Sequence, residues 1–270
     1  MGSQVFTVKA GSNQSVARLL EAAKLSEAIG QSSTVMLKPN LVEALQPPIT
    51  TPVGFVADII DYIKQITPEV KIIVAEGSGA ADYDTWHSFE SLGYTAMAAE
   101  LGVQLIDLNT EPLTKLEKNY CRRWPQMYLP EIIFDVFLIS IPVLKAHSLA
   151  GVTLSMKNMM GIAPPAHYQQ GGHWKKAAFH ENVQVAVFDL NQYRAPDYAI
   201  LDASVGMQEA HLWGPSCNPP HNTFAASSDP VAIDAYGTQL LKRKWQQIAH
   251  IARADGVLGS AQSYQIYNVS

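Results

Sequence analysis

Cysteine is scarce in this chain: Cys121 and Cys217 are the only two among 270 residues. Two thiols exclude a secreted disulfide framework. They also fall short of the four thiolates that an iron–sulfur cluster usually takes. Charge is thin as well, 16% of residues with a net of −5, where about a quarter is usual. The basic patch of a nucleic-acid binder is therefore missing. The one exception, KRK at Lys242–Lys244, closes a predicted helix, where cations suit the helix dipole. No apolar run approaches the roughly 20 residues of a membrane span. The opening MGSQVFTVKAGSNQ has no signal-peptide layout, and Phe6 stands where a myristoylation motif takes Ser or Thr. These absences predict a cytoplasmic protein with neither a membrane nor a nucleic-acid partner.

What is present is an alternation of strands and helices. Strands are predicted at Val5–Val8, Ser33–Leu37, Lys71–Ala75, Val103–Leu108, Val136–Ile141, Tyr198–Leu201 and Thr223–Ala226, from short apolar runs rich in β-branched residues. Helices are predicted over Ser15–Ile29 (closed by Gly30), Val53–Ile66, Ser88–Leu101, Ala150–Met160, Asn182–Tyr193, Pro230–Leu241 with Asp229 as N-cap, and Gln246–Ala254. This rhythm predicts a single α/β domain over 1–270: a mostly parallel, doubly wound sheet with helices on both faces. Residues near 110–130 break the rhythm and read as a small edge lobe. Residues near 164–180, polar and rich in Gly and His, read as a mobile loop over the site.

Polar residues recur where strands end. Lys38 and Asn40 follow the second strand, Glu76, Gly77 and Ser78 the third, Lys145 and His147 the fifth, and Asp202 the sixth. In a parallel sheet the carboxyl ends share one edge, so these side chains should converge there. Lys157 and Asn158 lie just beyond, on a helix with Met156, Met159 and Met160. A segment so apolar has little reason to hold unpaired cations, since burying one costs several kcal/mol. Each residue also has a plainer reading. Lys38 can be a solvated strand end, Asn40 a turn residue, Glu76-Gly77-Ser78-Gly79 an ordinary strand-to-helix turn, and His147 a hydrogen-bonded histidine. The EGSG backbone could cradle an anion, but it is no Walker loop or dinucleotide fingerprint. His167, His173 and His180 lack metal-ligand spacing; one of them joining the site is the expectation. Asp229 reads as a cap. Asp234 is expected to point toward the site or a lysine.

The blocks KPNLV at Lys38, Thr51-Pro52, EGSG at Glu76, FESLGY at Phe89, KAH at Lys145, GVTLSMKNMMG at Gly151, the GM…GP pair at Gly206 and Gly214, and SDPVAIDA at Ser228 resemble the family known as domain of unknown function 362. The resemblance runs from about residue 33 to 240. Many members of that family are described as iron–sulfur-cluster-binding, because a ferredoxin-like module is often fused to the domain. This chain carries no such module, and members commonly read PKLKTH where it reads PVLKAH, so Val143 and Ala146 remove a cation and a hydroxyl. In layout the chain loosely resembles nickel-dependent lactate racemases, a likeness of fold that licenses no reaction.

Three readings follow. In the first, an enzyme or enzyme-like protein binds a small anionic molecule, carboxylate or phosphate, at Lys38, Lys145 and Lys157. His147, Lys145 and Lys157 are its catalytic candidates, and Asn40, Glu76, Gly77, Ser78, Asn158 and Asp202 complete the pocket, where Glu76 or Asp202 orients the histidine or holds a divalent metal. In the second, the chain is a non-catalytic metabolite- or metal-binding module, or an accessory partner of a separate redox protein; turnover separates the two. The third and weakest is a structural protein whose lysines pair with surface acids.

Overall fold

A computed structural model describes residues 2–11 and 14–270. Its strands are β1 (Ser3–Lys9), β2 (Thr34–Pro39), β3 (Lys71–Glu76), β4 (Gln104–Asp107), β5 (Leu113–Glu117), β6 (Gln126–Pro130), β7 (Phe137–Ile141), β8 (Val143–His147), β9 (Gly151–Thr153), β10 (Tyr198–Met207), β11 (Thr223–Ser227) and β12 (Tyr264–Val269). Its helices are α1 (Ser15–Ala22), α2 (Leu25–Ile29), α3 (Val53–Ile66), α4 (Thr85–Ser91), α5 (Tyr94–Leu101), α6 (Ser155–Asn158), α7 (Pro165–Tyr168), α8 (Val183–Tyr193), α9 (Pro230–Leu240) and α10 (Ala249–Ala254). No helix of the described residues is long and apolar enough to cross a membrane.

The main sheet runs β12-β1-β11-β10-β7-β2-β3-β4. Neighbours pair in parallel except β11, which is antiparallel to both β1 and β10. The expected α/β fold is therefore present. From β2 the chain moves outward through β3 to β4, then returns to lay β7 and β10 on the other side of β2. The strand order reverses between β2 and β7, which is where open α/β sheets leave a ligand crevice. Beyond Pro142 the chain continues as β8, which pairs with β10 and folds back on β9.

The period-two alternation of strands sets the two cores. Val35, Leu37, Ile139 and Ile141 pack with α1, α3 and α5 on one face. Met36 and Leu138 pack with α6, α8 and α9 on the other. Lys38 and Ser140, paired in register across β2 and β7, continue the Met36 and Leu138 rows and so turn toward α6.

Several expectations need correction. The helix predicted over Ser15–Ile29 is two, because Lys24 takes the left-handed conformation at φ 56°. That over Ser88–Leu101 is likewise α4 and α5, broken at Gly93 with φ 83°. Only the second half of Ala150–Met160 is helical. Val152 and Thr153 instead pair with β8 as β9, after Gly151 turns the chain at φ 78°. The last helix is a 3₁₀ turn, Trp245–Gln247, followed by α10. The strand begun at Tyr198 runs on to Met207, so Asp202 sits within it and not at its end. The segment 110–130 forms the β5–β6 hairpin. It docks on α8, where Lys118 donates to the Gln192 carbonyl at 2.6 Å and the Arg123 backbone N–H to Asp189 at 2.6 Å.

Candidate functional site

A cavity of about 410 Å³ opens at the carboxyl ends of β2, β3 and β8, next to the strand-order reversal. Its floor is a closed polar network. Lys38, buried, donates to Glu76 Oε1 at 2.7 Å and to Asn158 Oδ1 at 3.3 Å. Glu76 also accepts the backbone N–H of Leu41 at 3.1 Å and of Gly77 at 2.8 Å. Asn158 donates to the Lys38 carbonyl and to Ser140 Oγ, each at 3.1 Å, and accepts from Asn40 Nδ2 at 2.9 Å. Asn40 Oδ1 in turn accepts from Lys145 Nζ at 2.7 Å, and the Ile49 carbonyl accepts from the same ammonium at 2.6 Å. The Thr51 hydroxyl clamps this floor across the reversal, accepting from Asn40 N and donating to the Ile141 carbonyl, both at 2.8 Å. Packing here requires glycine at 161, where a Cβ would collide with the Glu76 carboxylate and the Lys38 ammonium.

The wall differs. Lys157 lines the cavity half-buried and has no hydrogen bond or ion pair among the described residues. Burial lowers its ammonium to about 8. Also on the lining, Thr153 Oγ1 is buried with no hydrogen-bond partner among the described residues. Lys145 is lowered well below its ordinary value, by burial first and then by Lys157. Lys176 enters from the 164–180 segment and donates to Asn109 Oδ1 and the Ala163 carbonyl; burial brings it to about 7.

Three histidines stand over these lysines. His147 stacks on His211 at 3.9 Å between centroids and faces His180 at 6.2 Å. His147 Nδ1 accepts the backbone N–H of both Leu149 and Ala150 at 3.1 Å. An atom that accepts two N–H groups cannot carry a hydrogen, so the neutral ring bears its proton on Nε2. Protonation would set a second N–H against those donors, and burial and Lys157 push the same way, holding His147 far below the usual histidine range. His211 is likewise lowered to about 4, by burial and Lys157.

The cavity lining thus brings together Asn40, Glu76, Gly77, Lys145, His147, Lys157, Asn158 and His180 from the sequence reading. Lys38 lies directly beneath them. Ser78 and Asp202 are not on the lining: the Ser78 hydroxyl donates to the Val42 carbonyl at 3.1 Å, and Asp202 caps its own strand bend by accepting from Ser204 N at 2.8 Å. The EGSG loop offers no free N–H cradle. Gly77 N, Ser78 N and Gly79 N are taken by Glu76, Thr85 and the Val42 carbonyl. His167 stacks on Tyr128 at 4.0 Å, and His173 sits 3.4 Å from Asp82 in solvent. Asp234 does not face a lysine. It accepts the backbone N–H of Ser155 at 2.7 Å and of Met156 at 3.0 Å, seating the turn that carries Lys157. Asp229 is the cap it was expected to be, accepting from Val231 and Ala232. The sequence reading missed Thr153, Lys176 and His211. None of them carried a positional signal: Lys176 and His211 lie in irregular segments, and Thr153 in a stretch read as helix.

The residues do not fit a metal centre or cluster. Among the described residues no three His, Cys, Asp or Glu side chains converge as ligands, and His147 already holds a proton on the nitrogen not taken by the backbone. Cys121 and Cys217 are both buried. They lie apart, one in the hairpin that docks on α8 and one bonded through its backbone N–H to Gly206.

The family model for the domain of unknown function DUF362 matches residues 35–239. No curated protein matches. Among solved structures, the chain is similar to the lactate racemase apoprotein from Thermoanaerobacterium thermosaccharolyticum, with a TM-score of 0.56 and 12% identity. The match covers 90% of this chain and 57% of that one, so this chain spans little more than half its length. At that identity the likeness speaks for the fold alone.

Proposed function

The chain belongs to the DUF362 family, and from that premise and the cavity at the strand-order reversal we propose that it is an enzyme-like protein that binds a small anionic molecule, a carboxylate or phosphate. The observation that carries this reading is Lys157: a half-buried ammonium, with no counter-ion among the described residues, in a cavity whose only lining carboxylate, Glu76, is engaged by Lys38. A bound anion would supply the missing charge. Three further donors line the same cavity. Lys145 donates two N–H groups within the protein and, in its protonated form, has a third to offer; His147 presents Nε2–H; Thr153 offers a hydroxyl with no partner among the described residues. In this reading His147 is a neutral hydrogen-bond donor that polarises the ligand, and not the base that residue type alone suggested. Val42, Leu149, Met160, Trp174 and Leu212 line the rest of the cavity and favour a ligand with a small apolar body.

Calorimetric titration of the full chain with acetate and with inorganic phosphate tests the reading. Saturable one-site binding of at least one anion, weakened in Lys157→Met while the fold is kept, is the expected result. Equal binding by both proteins, or none by either, overturns it.

A further inference from the structure

Four lysines surround this cavity, and three are tied down. Lys38 is held by Glu76, Lys145 by Asn40 and the Ile49 carbonyl, and Lys176 by Asn109 and the Ala163 carbonyl. Lys157 alone has no hydrogen bond among the described residues. The same lining carries the Thr153 hydroxyl, buried with no hydrogen-bond partner among the described residues, and His147, whose Nδ1 is taken by backbone N–H groups so that Nε2 bears the hydrogen. A counter-cation for an anion would do as well tied down, in a fixed geometry. A nucleophile must have its lone pair free, with donors set around the oxygen of the group it attacks.

From this arrangement we infer that Lys157 forms a covalent imine with a 2-oxo acid or an aldehyde acid, a ligand whose carboxylate lies beside its carbonyl. The inference rests on the anion-pocket reading and narrows it. Lys145 would hold the carboxylate and leave the adjacent carbonyl carbon to Lys157. The Lys157 amine adds to that carbon, and the carbonyl π pair moves to oxygen, which takes up one proton relayed from the ammonium. Thr153 Oγ–H and His147 Nε2–H receive the oxygen as its charge develops. The resulting carbinolamine loses its hydroxyl as water, with a second proton from nitrogen, as the nitrogen lone pair closes the C=N bond. One ammonium and one carbonyl thus become one iminium and one water, with no oxidant or reductant. With its ammonium lowered to about 8, Lys157 supplies roughly a tenth of itself as free amine at pH 7.

The test is reductive trapping of the full chain with glyoxylate or 2-oxobutyrate and cyanoborohydride, read by intact mass and peptide mapping. The expected product is one adduct per chain, heavier by the acid less water plus two hydrogens, mapped to Lys157 and suppressed by excess acetate. In Lys157→Arg, trapping should fall at least about tenfold because guanidinium is no nucleophile here. Adducts scattered over surface lysines, or undiminished in Lys157→Arg, overturn the inference. Glyoxylate that binds in the calorimeter but is never trapped overturns the imine and leaves the anion pocket standing; failure of every carboxylate to bind overturns both. If the arginine variant does not fold, mapping and acetate protection in the unsubstituted protein decide the matter alone.

Discussion

The floor and the wall of the cavity are both built around lysine, and they answer the cost of a buried cation in opposite ways. On the floor, Lys38 meets Glu76 at 2.7 Å, and Glu76 is held by two backbone N–H groups. Every group there has a partner, so the network joins β2, β3, β7 and α6 into one rigid base. On the wall, Lys157 and Thr153 have no hydrogen-bond partner among the described residues. A folded chain tolerates such a deficit where something outside it makes up the difference. In this cavity the satisfied groups hold the architecture, and the unsatisfied ones are those that the proposed ligand would engage.

The sharpest way to break the contrast is at the floor. Glu76→Ala strands the Lys38 ammonium in the interior and should cost about 3–5 kcal/mol of stability, read as a lower urea midpoint. A variant as stable as the parent would mean that the network is not structural. The corresponding change in the wall, Lys157→Met, should leave the urea midpoint unchanged or higher and weaken anion binding by about 100-fold, read by calorimetry.

Next in size is pH. Anion binding needs the protonated ammonium, so affinity should be full below pH 8 and fall about tenfold per unit as pH rises above the Lys157 value of about 8. Stability without ligand should move the other way. Lys157 and Lys176 are lowered to about 8 and about 7, so between those values and the ordinary lysine value of about 10.4 the unfolded chain holds more protons than the folded one. Stability then rises with pH across that window, and below pH 7 the burden of both buried cations is complete. Urea midpoints from pH 7 to 10 measure this, with Lys157→Met flattening the slope. The smallest effect is at Thr153→Val, which removes an unpaired buried hydroxyl at constant shape. It should raise stability by up to about 1 kcal/mol while loosening the ligand several-fold.

Legibility in the sequence followed the same division. Val53–Ile66 has helical periodicity and a proline before it, and its ends match α3. The strand ends of β2 and β3 were readable because apolar runs stop at Lys38 and Glu76; Lys145 and His147, expected beyond the strand that Pro142 stops, instead form part of a further strand, β8. What escaped depended on conformation or on distant contacts. Lys24 breaks a helix by taking a positive φ that its residue type does not announce. Val152 and Thr153 have a helical context, but pairing with β8 overrides it. β12 is a mostly exposed edge strand whose YQIYNV shows no clean alternation. Lys176 and His211 reach the cavity from irregular segments, where spacing carries no geometric information. The free hydroxyl of Thr153 is visible only once all its neighbours are known.

The carboxylate that seats the Lys157 turn comes from Asp234, 79 residues downstream of Ser155. All the residues that line the cavity lie earlier in the chain, the last of them Leu212. A growing chain that has left the ribosome only as far as Ser227 has therefore produced the whole lining without the clamp that seats the Lys157 turn. The turn is fixed late in synthesis, when α9 docks, and a nascent fragment short of that helix would hold the lining residues without their final arrangement.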